Sequence, residues 1–428
     1  MFKTLVVFKV VEILVYGKKD SRKGAKMRGI FINSRTYYTG TTLKYKKSNV
    51  KRKRKIPESP IKFMIESMDP LGQGVSIIDK KPCFIPKTLP GEKGTAVITK
   101  VSKGVAFAQL EVVDLVADNR SESKCEHFSQ CPGCHYLHTD YENELNYKKK
   151  ALQHHLSRLD VAGPDVKVSP ADERFGYRNR MQLHYRHKYI GMVDGKTNKV
   201  IEIPKCLLIN KKLKTVFSKL YKNKSWAEDH VGEGHCELFI NKEGDAGVEW
   251  NQPYAHGGFS QVNPAMNEVL RDIVLEEIKG NESSQNRKNA LLDLFSGNGN
   301  LSDKVISSNP LTERVMIDYS PERVNLEELN FVHLDLYSET ALRTFKARSE
   351  SSSYDTFIVD PPRKGFSNLF EWVKEFNPKQ IVYASCNAAT MVRDLQKLFK
   401  EYEIKSIHLI DLFPGTYHYE TVVTLSLR

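Results

Sequence analysis

Cys386 occupies a position where an α/β protein is expected to carry a reactive group. It lies in the stretch Ile-Val-Tyr-Ala-Ser-Cys-Asn-Ala-Ala-Thr-Met-Val-Arg-Asp, residues 381–394. The apolar run at 381–384 predicts a buried strand, and the apolar residues that recur from 391 to 399 predict a helix. Cys386 is therefore at the turn after the carboxyl end of a strand, where open α/β sheets bind ligands. Because most free cysteines are simply buried small hydrophobic residues, the chemical interpretation depends on other stretches.

Three further cysteines have a spacing that indicates metal binding. The segment reads Cys125-x5-Cys131-Pro-Gly-Cys134-His135, with proline and glycine in its tightest part. Thiolates this close together are typical ligands of zinc or of an iron–sulfur cluster. Cys131-x2-Cys134-His135 also matches a c-type haem attachment site, but haem attachment requires export and leaves Cys125 without a role. Zinc is the stronger alternative to a cluster, and we predict Cys206 as the fourth ligand.

The cysteine count as a whole does not indicate a disulfide framework. The chain has 7 cysteines, an odd number, in 428 residues and lacks a clear export signal. Cys83 and Cys236 lie in strand-like runs and are predicted to be buried. Metal binding and catalysis therefore account for the remaining five.

Four predicted strands in the second half of the chain end at or near an acidic residue: Asp293, Asp318, Asp335 and Asp360. The first strand leads into Gly297-Asn-Gly299, where Ser302 replaces the third glycine of the dinucleotide fingerprint. This replacement argues against a pyrophosphate ligand, and the pattern suits S-adenosylmethionine. Asp318 lies 21 residues after Gly297, where a carboxylate accepts hydrogen bonds from ribose hydroxyls.

Glu420 immediately precedes the strand-like run Thr-Val-Val-Thr-Leu. A glutamate exposed at the edge of a strand is the simpler interpretation. In the context of a methyltransferase, however, a carboxylate at this place becomes a candidate general base.

The elements that precede these residues fit an RNA-binding front half and fit equally a structural barrel with no ligand. Residues 61–113 break into five short strand-like pieces separated by turn signals, which fits a small closed barrel of the oligonucleotide-binding type. A helix is predicted over 141–159. The alternation at 175–186 places Arg178, Arg180, His184 and Arg186 on one strand face. Such a row is either a solvated face or a surface for single-stranded RNA.

Charge is concentrated at the amino-terminal end. Residues 1–60 hold 17 Lys and Arg against 3 Asp and Glu, whereas the other 368 residues hold 48 against 49. Eight of the twelve residues in 44–55 are basic. We expect residues 1–60 to be a disordered tail that is dispensable for the fold and binds polyanions through its charge. No stretch is long and apolar enough to predict a membrane span, so we expect a cytoplasmic protein. We also expect a monomer.

Together these motifs resemble those of the RNA uridine-5-methyltransferases of the bacterial 23S rRNA type, which are related to the tRNA(uracil-5)-methyltransferases. The similarity runs from about residue 61 to the end. It is carried by the four cysteines, Tyr177-Arg-Asn-Arg180, Phe259-x-Gln261-Val-Asn263, Asp293-Leu-Phe295-x-Gly297-x-Gly299-Asn300, Asp360-Pro-Pro-Arg363, Ser385-Cys386-Asn387, Phe413-Pro414 and His418-x-Glu420. The chain departs from the family at Asp318, where a glutamate is usual, at Ser296, where a cysteine is usual, and at Ala388, where a proline is usual.

The resemblance implies an α/β fold with a Rossmann-like S-adenosylmethionine-dependent methyltransferase domain. It further implies a TRAM-like β-barrel at 61–116, a central RNA-binding domain with iron–sulfur cysteines at 117–256, and the methyltransferase domain at 257–428. Cys386 would be the nucleophile and Glu420 the base. The implied ligands of a [4Fe–4S] cluster are Cys125, Cys131, Cys134 and Cys206. The implied S-adenosylmethionine site consists of Gln261, Phe295, Asn300, Asp318, Asp335 and Asp360.

The function implied is transfer of a methyl group to C5 of a uridine in RNA through a covalent cysteine adduct. Ribosomal RNA is favoured as the substrate, because tRNA enzymes of this family commonly lack both barrel and cluster. The alternatives are a tRNA uridine-5-methyltransferase, an RNA cytosine-5-methyltransferase and a non-catalytic, cluster-bearing RNA-binding assembly factor.

Overall fold

The computed structural model describes residues 60–159, 161–195, 197–241, 243–254, 260–279, 289–309, 312–319, 330–349 and 351–428. All but the last residue of the predicted basic tail lies outside these ranges, and so does Phe259. Within the described ranges the strands form three separate sheets. None of the helices described there is both long and apolar enough to cross a bilayer.

The first sheet contains the five predicted strand pieces and a short additional strand. Its members are β1 (Ile61–Met64), β2 (Ser67–Met68), β3 (Gln73–Ile78), β4 (Lys81–Pro86), β5 (Lys93–Ser102) and β6 (Val105–Leu115), in the order β1-β5-β6-β4-β3-β2. The two edge strands, β1 and β2, follow each other directly in the chain, so one short segment pairs with both ends of the sheet. This arrangement closes the sheet around a small apolar core that includes Phe63, Ile85 and Ala96. Whether the barrel is of the TRAM type stays a prediction.

The second sheet is antiparallel and carries the predicted row of basic residues. It consists of β8 (Arg180–Arg186), β9 (Tyr189–Val193), β10 (Val200–Ile201), β11 (Glu233–Ile240) and β12 (Ala246–Trp250), in the order β10-β9-β8-β11-β12, with α2 (Lys214–Lys222) and α3 (Trp226–Asp229) between strands.

The row of basic residues on β8 is largely neutralised. Arg180 is buried and contacts Glu237 at 3.3 Å, and Arg186 contacts Glu233 at 2.9 Å. Cross-strand glutamates on β11 therefore compensate two of the arginine charges. At these two positions the arginines are therefore paired with glutamates and do not form a free basic face for RNA phosphates.

The third sheet is the largest and contains most of the predicted site residues. Its order is β15-β14-β13-β16-β17-β19-β18-β7. The strands are β7 (Val166–Ser169), β13 (Asn289–Leu294), β14 (Thr312–Asp318), β15 (Phe331–His333), β16 (Thr356–Val359), β17 (Gln380–Ser385), β18 (Tyr402–Ile410) and β19 (Glu420–Leu427). The helices around it are α1 (Tyr141–Leu156), α4 (Pro264–Lys279), α5 (Ser302–Ser308), α6 (Ala341–Arg348), α7 (Leu369–Phe376) and α8 (Ala388–Leu395). All pairs are parallel except those of β19, which is antiparallel to both neighbours.

Strand residues alternate between two hydrophobic cores, one on each face of this sheet. Leu292 and Phe357 pack with α6, α7 and α8, whereas Leu291 and Ile358 pack with α4 and α5. Burial on both faces explains why these strands read as continuous apolar runs. The predicted α/β class with a Rossmann-like sheet is confirmed. The domain boundaries stay predictions. Two elements of the predicted central domain nevertheless join the large sheet: β7 pairs with β18, and α1 packs into the core on one face.

The strand order reverses between β13 and β16. The chain proceeds from β13 to β14 and β15 on one side and continues with β16 and β17 on the other. In open α/β sheets the crevice at the carboxyl ends of such strands is where ligands bind. The predicted acidic residues lie at or near this edge.

Candidate active site and cysteine pocket

Cys386 lies between β17 and α8, half-buried, as the strand–turn–helix pattern predicts. Asn387 caps α8, since its side-chain oxygen accepts a hydrogen bond from the Ala389 amide at 3.2 Å. The Asn387 amide itself donates to Ser385 Oγ at 3.0 Å. These bonds hold the turn on both sides of the thiol, so the cysteine is presented by rigid backbone.

Glu420 is brought to the same edge by the direction of β19. Because this strand is antiparallel to β17, its first residue lies beside the last residues of β17, and Ser385 pairs with Thr421. Glu420 is 3% exposed. The residue predicted as nucleophile therefore follows the last residue of β17, the residue predicted as base begins β19, and each is one residue beyond the pair of Ser385 with Thr421.

The surroundings of the thiol favour its protonated form. Burial raises the pKa of Cys386 to about 12, with a further contribution from Glu420, while Arg363 opposes the rise through its charge and a hydrogen bond. The pKa of Glu420 is raised well above its usual range by burial and by the nearby Asp360, again opposed by Arg363. Without ligands, the site thus holds its protons, and Arg363 is the cation that favours releasing them.

Arg363 and His418 are functional candidates to which sequence reasoning assigned no role. The carbonyl of Arg363 accepts hydrogen bonds from Asn387 Nδ2 at 2.9 Å and Thr390 Oγ1 at 3.2 Å, which fixes this loop against α8. Its guanidinium approaches His418 Nε2 at 3.5 Å. Burial, with Arg363 next in importance, lowers the pKa of His418 to about 3, so this ring is neutral. Both residues lie in motifs that resemble the family, Asp360-Pro-Pro-Arg363 and His418-x-Glu420. These motifs were the sequence signal that could have identified them as functional candidates.

The glycine turn after β13 places its backbone against Asp318. The Gly297 amide donates to Asp318 Oδ2 at 2.8 Å, and both Gly297 and Gly299 have positive φ. Phe295, just before them, has φ +60, a strained value for a side chain with a Cβ and one that recurs at functional sites. The turn is thus shaped so that peptide N–H groups and a carboxylate meet at the crevice.

The remaining predicted cofactor residues occupy different surroundings. Burial, with Asp318 next in importance, raises the pKa of Asp360 to about 7. Asn300 exchanges side-chain hydrogen bonds with Asn267, each at 2.9 Å. Asp335 is exposed and accepts from the Tyr337 amide at 2.9 Å. Gln261 is partly buried just before α4. Asp318 and Asp360 are therefore close enough to interact, while a shared ligand site for all six residues stays a prediction.

Asp293, which leads into the glycine turn, is a buried structural carboxyl. Ser302 Oγ donates to its Oδ2 at 2.5 Å, and Arg314 donates to the same hydroxyl at 2.8 Å. Burial raises the pKa of Asp293 to about 7. The serine that replaces the third glycine thus ties α5 to β13.

The four cysteines predicted as metal ligands line one pocket. Cys125, Cys131, Cys134 and Cys206 surround it together with apolar side chains that include Phe128, Leu137 and Leu208. Burial raises the pKa of Cys134, and the other three thiols raise it further. Burial likewise raises the pKa of Cys206 to about 11. The four thiols are close enough to interact electrostatically, and burial favours the protonated forms of Cys131, Cys134 and Cys206.

A ready-made metal site is nevertheless not confirmed. Among the described residues, no group of three or more His, Cys, Asp and Glu side chains is arranged so that it could hold a metal ion. Cys83 and Cys236 are fully buried, as predicted.

The barrel contacts the cysteine pocket through Lys87. Its ammonium donates to the carbonyls of Phe128 and, at 3.0 Å, Cys131. It also lies over the ring of Phe128, 5.0 Å from the centroid. The pocket therefore has a positive charge beside one of its cysteines.

Comparison with known proteins agrees with this geometry. The tRNA (Uracil-5-)-methyltransferase family model matches residues 246–428. The 23S rRNA (uracil(1939)-C(5))-methyltransferase of Shewanella frigidimarina is 26% identical, with 88% of this chain and 98% of that protein covered. An uncharacterized RNA methyltransferase of Listeria innocua is 27% identical over 86% of this chain and 98% of its own length.

A solved structure shares the fold. The Pyrococcus abyssi tRNA (uracil-54, C5)-methyltransferase, in complex with S-adenosyl-L-homocysteine, superposes with a TM-score of 0.63 at 20% identity, covering 85% of this chain and all of that one. The sequence matches, the motifs at the sheet edge and the strand order agree with one another. Over most of its length the chain is similar to RNA (uracil-5-)-methyltransferases, and its residues 246–428 match their family model.

Proposed function

We propose that this enzyme methylates C5 of a uridine in RNA, with Cys386 as nucleophile and Glu420 as base. The observation that supports the proposal is the pairing of Ser385 with Thr421, because it brings Cys386 and Glu420 close together at the edge where open α/β sheets bind ligands. A buried glutamate beside a half-buried cysteine is costly for stability alone. A reaction that needs both a nucleophile and a base accounts for it.

The chemistry requires two separate roles. Uracil C5 is a weak nucleophile, so the thiolate of Cys386 first adds to C6 and the electron pair of the C5–C6 double bond moves into an enolate. The enolate carbon C5 then attacks the methyl group of the sulfonium and releases S-adenosylhomocysteine. Glu420 removes the proton from C5, the C5–C6 double bond re-forms, and the thiolate leaves.

The electrostatics of the residues suit both steps. Arg363, the cation beside the thiol, stabilises the thiolate that must form. Glu420, once ionised, is a stronger base than an exposed glutamate because its pKa is raised. The positive charge of a bound sulfonium would favour the ionised form of each carboxyl at this edge.

We propose that the methyl donor binds at the carboxyl end of β13, between the ends of β14 and β16. Peptide N–H groups of the glycine turn and the Asp318 carboxylate suit ribose hydroxyls, and the ring of Phe295 supplies an apolar surface. The other proposed contacts are Gln261, Asn300, Asp335 and Asp360.

Ribosomal RNA is the proposed substrate. Full-length relatives named as 23S rRNA methyltransferases support it, as does the small barrel at residues 61–115. The name of the matching family model, by contrast, refers to tRNA. Mass mapping of 5-methyluridine in rRNA and tRNA from a deletion strain decides between them, since only the true substrate loses the modification.

The proposed cofactor of the cysteine pocket is a [4Fe–4S] cluster. The donor set fits, since four cysteines and apolar side chains line the pocket, and cysteine thiolates would hold such a cluster. Anaerobically purified protein should contain about four irons per chain, and Cys206→Ala should lose as much iron as Cys131→Ala. Cys236→Ala, which removes a buried thiol elsewhere, should retain it. Stoichiometric zinc without iron would refute the cluster.

The covalent mechanism is tested with RNA that carries 5-fluorouridine. Fluorine at C5 cannot be abstracted as a proton, so a denaturation-resistant protein–RNA adduct should accumulate in an S-adenosylmethionine-dependent manner. Cys386→Ala should abolish adduct and turnover, whereas Cys83→Ala, another cysteine variant, should change neither. Glu420→Gln should accumulate adduct even with unmodified RNA. Near-normal formation of 5-methyluridine by Cys386→Ala would refute the mechanism.

A further inference from the structure

The polypeptide between β18 and β19, residues 411–419, leads directly to Glu420 and is held from outside the large sheet. We call it the base segment. Residues 411, 412, 414, 415 and 416 are buried. A local turn stiffens it, since Thr416 Oγ1 donates to the Phe413 carbonyl at 2.9 Å and accepts from the His418 amide at 3.2 Å. A shift near Phe413 is therefore carried along the segment toward Glu420.

The loop that bears Cys134 is hydrogen-bonded to this segment at Gly415. The Gly415 carbonyl accepts hydrogen bonds from the amides of His135 at 2.7 Å and Tyr136 at 3.2 Å. On the other side, the Gly415 amide donates to Glu144 Oε1 on α1 at 2.6 Å. The two residues that follow Cys134 thus fix one peptide of the base segment.

Tyr177 connects the same two regions through its side chain. Its ring is buried in a cluster with Cys134 and Leu208, both of which line the cysteine pocket. Its hydroxyl donates to the Pro414 carbonyl at 3.0 Å. One side chain therefore touches the wall of the cysteine pocket and the backbone six residues before Glu420.

We propose that Tyr177 is a positioning residue that couples the cysteine pocket to Glu420, an inference that rests on the proposed function. Proton removal requires the carboxylate within hydrogen-bond reach of C5, and small displacements slow such steps strongly. Cys386 is held independently by β17 and α8. Loosening the base segment therefore slows elimination of the adduct more than its formation.

The test compares two variants that remove the same kind of bond. Tyr177→Phe deletes the hydroxyl bonded to Pro414, and Tyr402→Phe deletes a buried hydroxyl that donates to the Pro378 carbonyl at 2.6 Å, at the far end of β18. Both should shift the urea midpoint by similar amounts. Only Tyr177→Phe should slow decay of the adduct on unmodified RNA, by about 3- to 10-fold, the rate equivalent of one hydrogen bond.

Two further measurements test the coupling, and the first of them is independent of turnover. Hydrogen exchange at the Gly415 and Thr416 amides should be faster in Tyr177→Phe than in Tyr402→Phe. Cys134→Ser should reproduce slow elimination, whereas Cys236→Ser, at a buried cysteine outside the pocket, should not. Normal elimination in Cys134→Ser would show that the pocket is not coupled to Glu420.

The outcomes separate this inference from the reaction on which it rests. If the unaltered enzyme forms no adduct with 5-fluorouridine RNA, the proposed function fails. If it forms the adduct and Tyr177→Phe and Tyr402→Phe eliminate at the same rate, the positioning role of Tyr177 is overturned.

Discussion

Lys148→Met should destabilise the protein more than any other single change to an ion pair described above. The ammonium of Lys148 is fully buried and lies 2.7 Å from Glu144 Oε1, 2.7 Å from Asp411 Oδ1 and 3.3 Å from the Phe413 carbonyl. Burial alone would lower the pKa of this lysine, but the two carboxylates outweigh it and raise the pKa. The charged form is therefore the native one.

The magnitude follows from what the substitution leaves behind. Methionine fills similar space, so no large cavity forms, but Glu144 and Asp411 remain buried as two carboxylates. Glu144 keeps Arg174 at 2.7 Å, and Asp411 keeps the hydroxyl of Tyr141 at 2.8 Å. One negative charge is then uncompensated. Removing one partner of a buried ion pair typically costs about 3–5 kcal/mol, which is the loss expected here.

Lys304→Met is the matched control. Lys304 also contacts two carboxylates, Asp272 and Glu268, but at the protein surface. Surface pairs contribute little, so its effect should be a small fraction of that at Lys148. The free energy of opening is measured by hydrogen exchange at amides of α1 and β18, which the Lys148 contacts join. Equal losses in the two variants would refute the reasoning, because they would mean that burial adds nothing to this ion pair.

Three further changes test the site and the tail. Arg363→Gln should slow alkylation of Cys386 by iodoacetamide and move its pH profile upward, since the guanidinium opposes the rise in the thiol pKa; an unchanged profile would contradict this. The raised folded-state pKa of Asp293, about 7 against 3.8, means that its contribution to stability is present below pH 3.8 and lost as the pH rises through 7. Asp293→Asn should therefore show a smaller decline between pH 5 and 7 in urea unfolding than the unaltered chain. Deletion of residues 1–55 should leave methyl transfer intact and weaken RNA binding at low salt; inactivity at every salt concentration would contradict it.

The sequence predicted the strand ends of the large sheet well because buried parallel strands leave an unmistakable apolar run. β16 ends at Val359, immediately before Asp360, and β17 ends at Ser385, immediately before Cys386. Both ends agree with the apolar runs in the sequence. The gathering of Cys206 with three cysteines far from it in sequence was also anticipated, from the need for a fourth ligand. Local patterns of this kind predict the structure well because they reflect which side chains each segment must bury.

The pairing of strands that are distant in sequence could not be predicted from the sequence. Nothing in the run after Glu420 indicates that β19 inserts antiparallel between β17 and β18, yet this insertion is what puts Glu420 beside Cys386. Nor does the alternation at β8 reveal that glutamates on β11 pair with Arg180 and Arg186. Charge compensation depends on the neighbouring strand, so a basic row in one segment cannot by itself predict a nucleic-acid surface.

Burial and the charges around Cys386 favour an unreactive thiol while no substrate is bound. Burial and the Glu420 carboxyl hold the thiol protonated, and Arg363 alone favours the thiolate. Asp360 and Glu420 are buried near each other and both have a raised pKa, so ionisation of one carboxyl disfavours ionisation of the other. In the proposed reaction a cationic sulfonium enters beside these carboxyls, which favours their ionised forms. The same arrangement that resists reaction with stray electrophiles in the free protein therefore gives a base ready to accept the C5 proton when the methyl donor is bound.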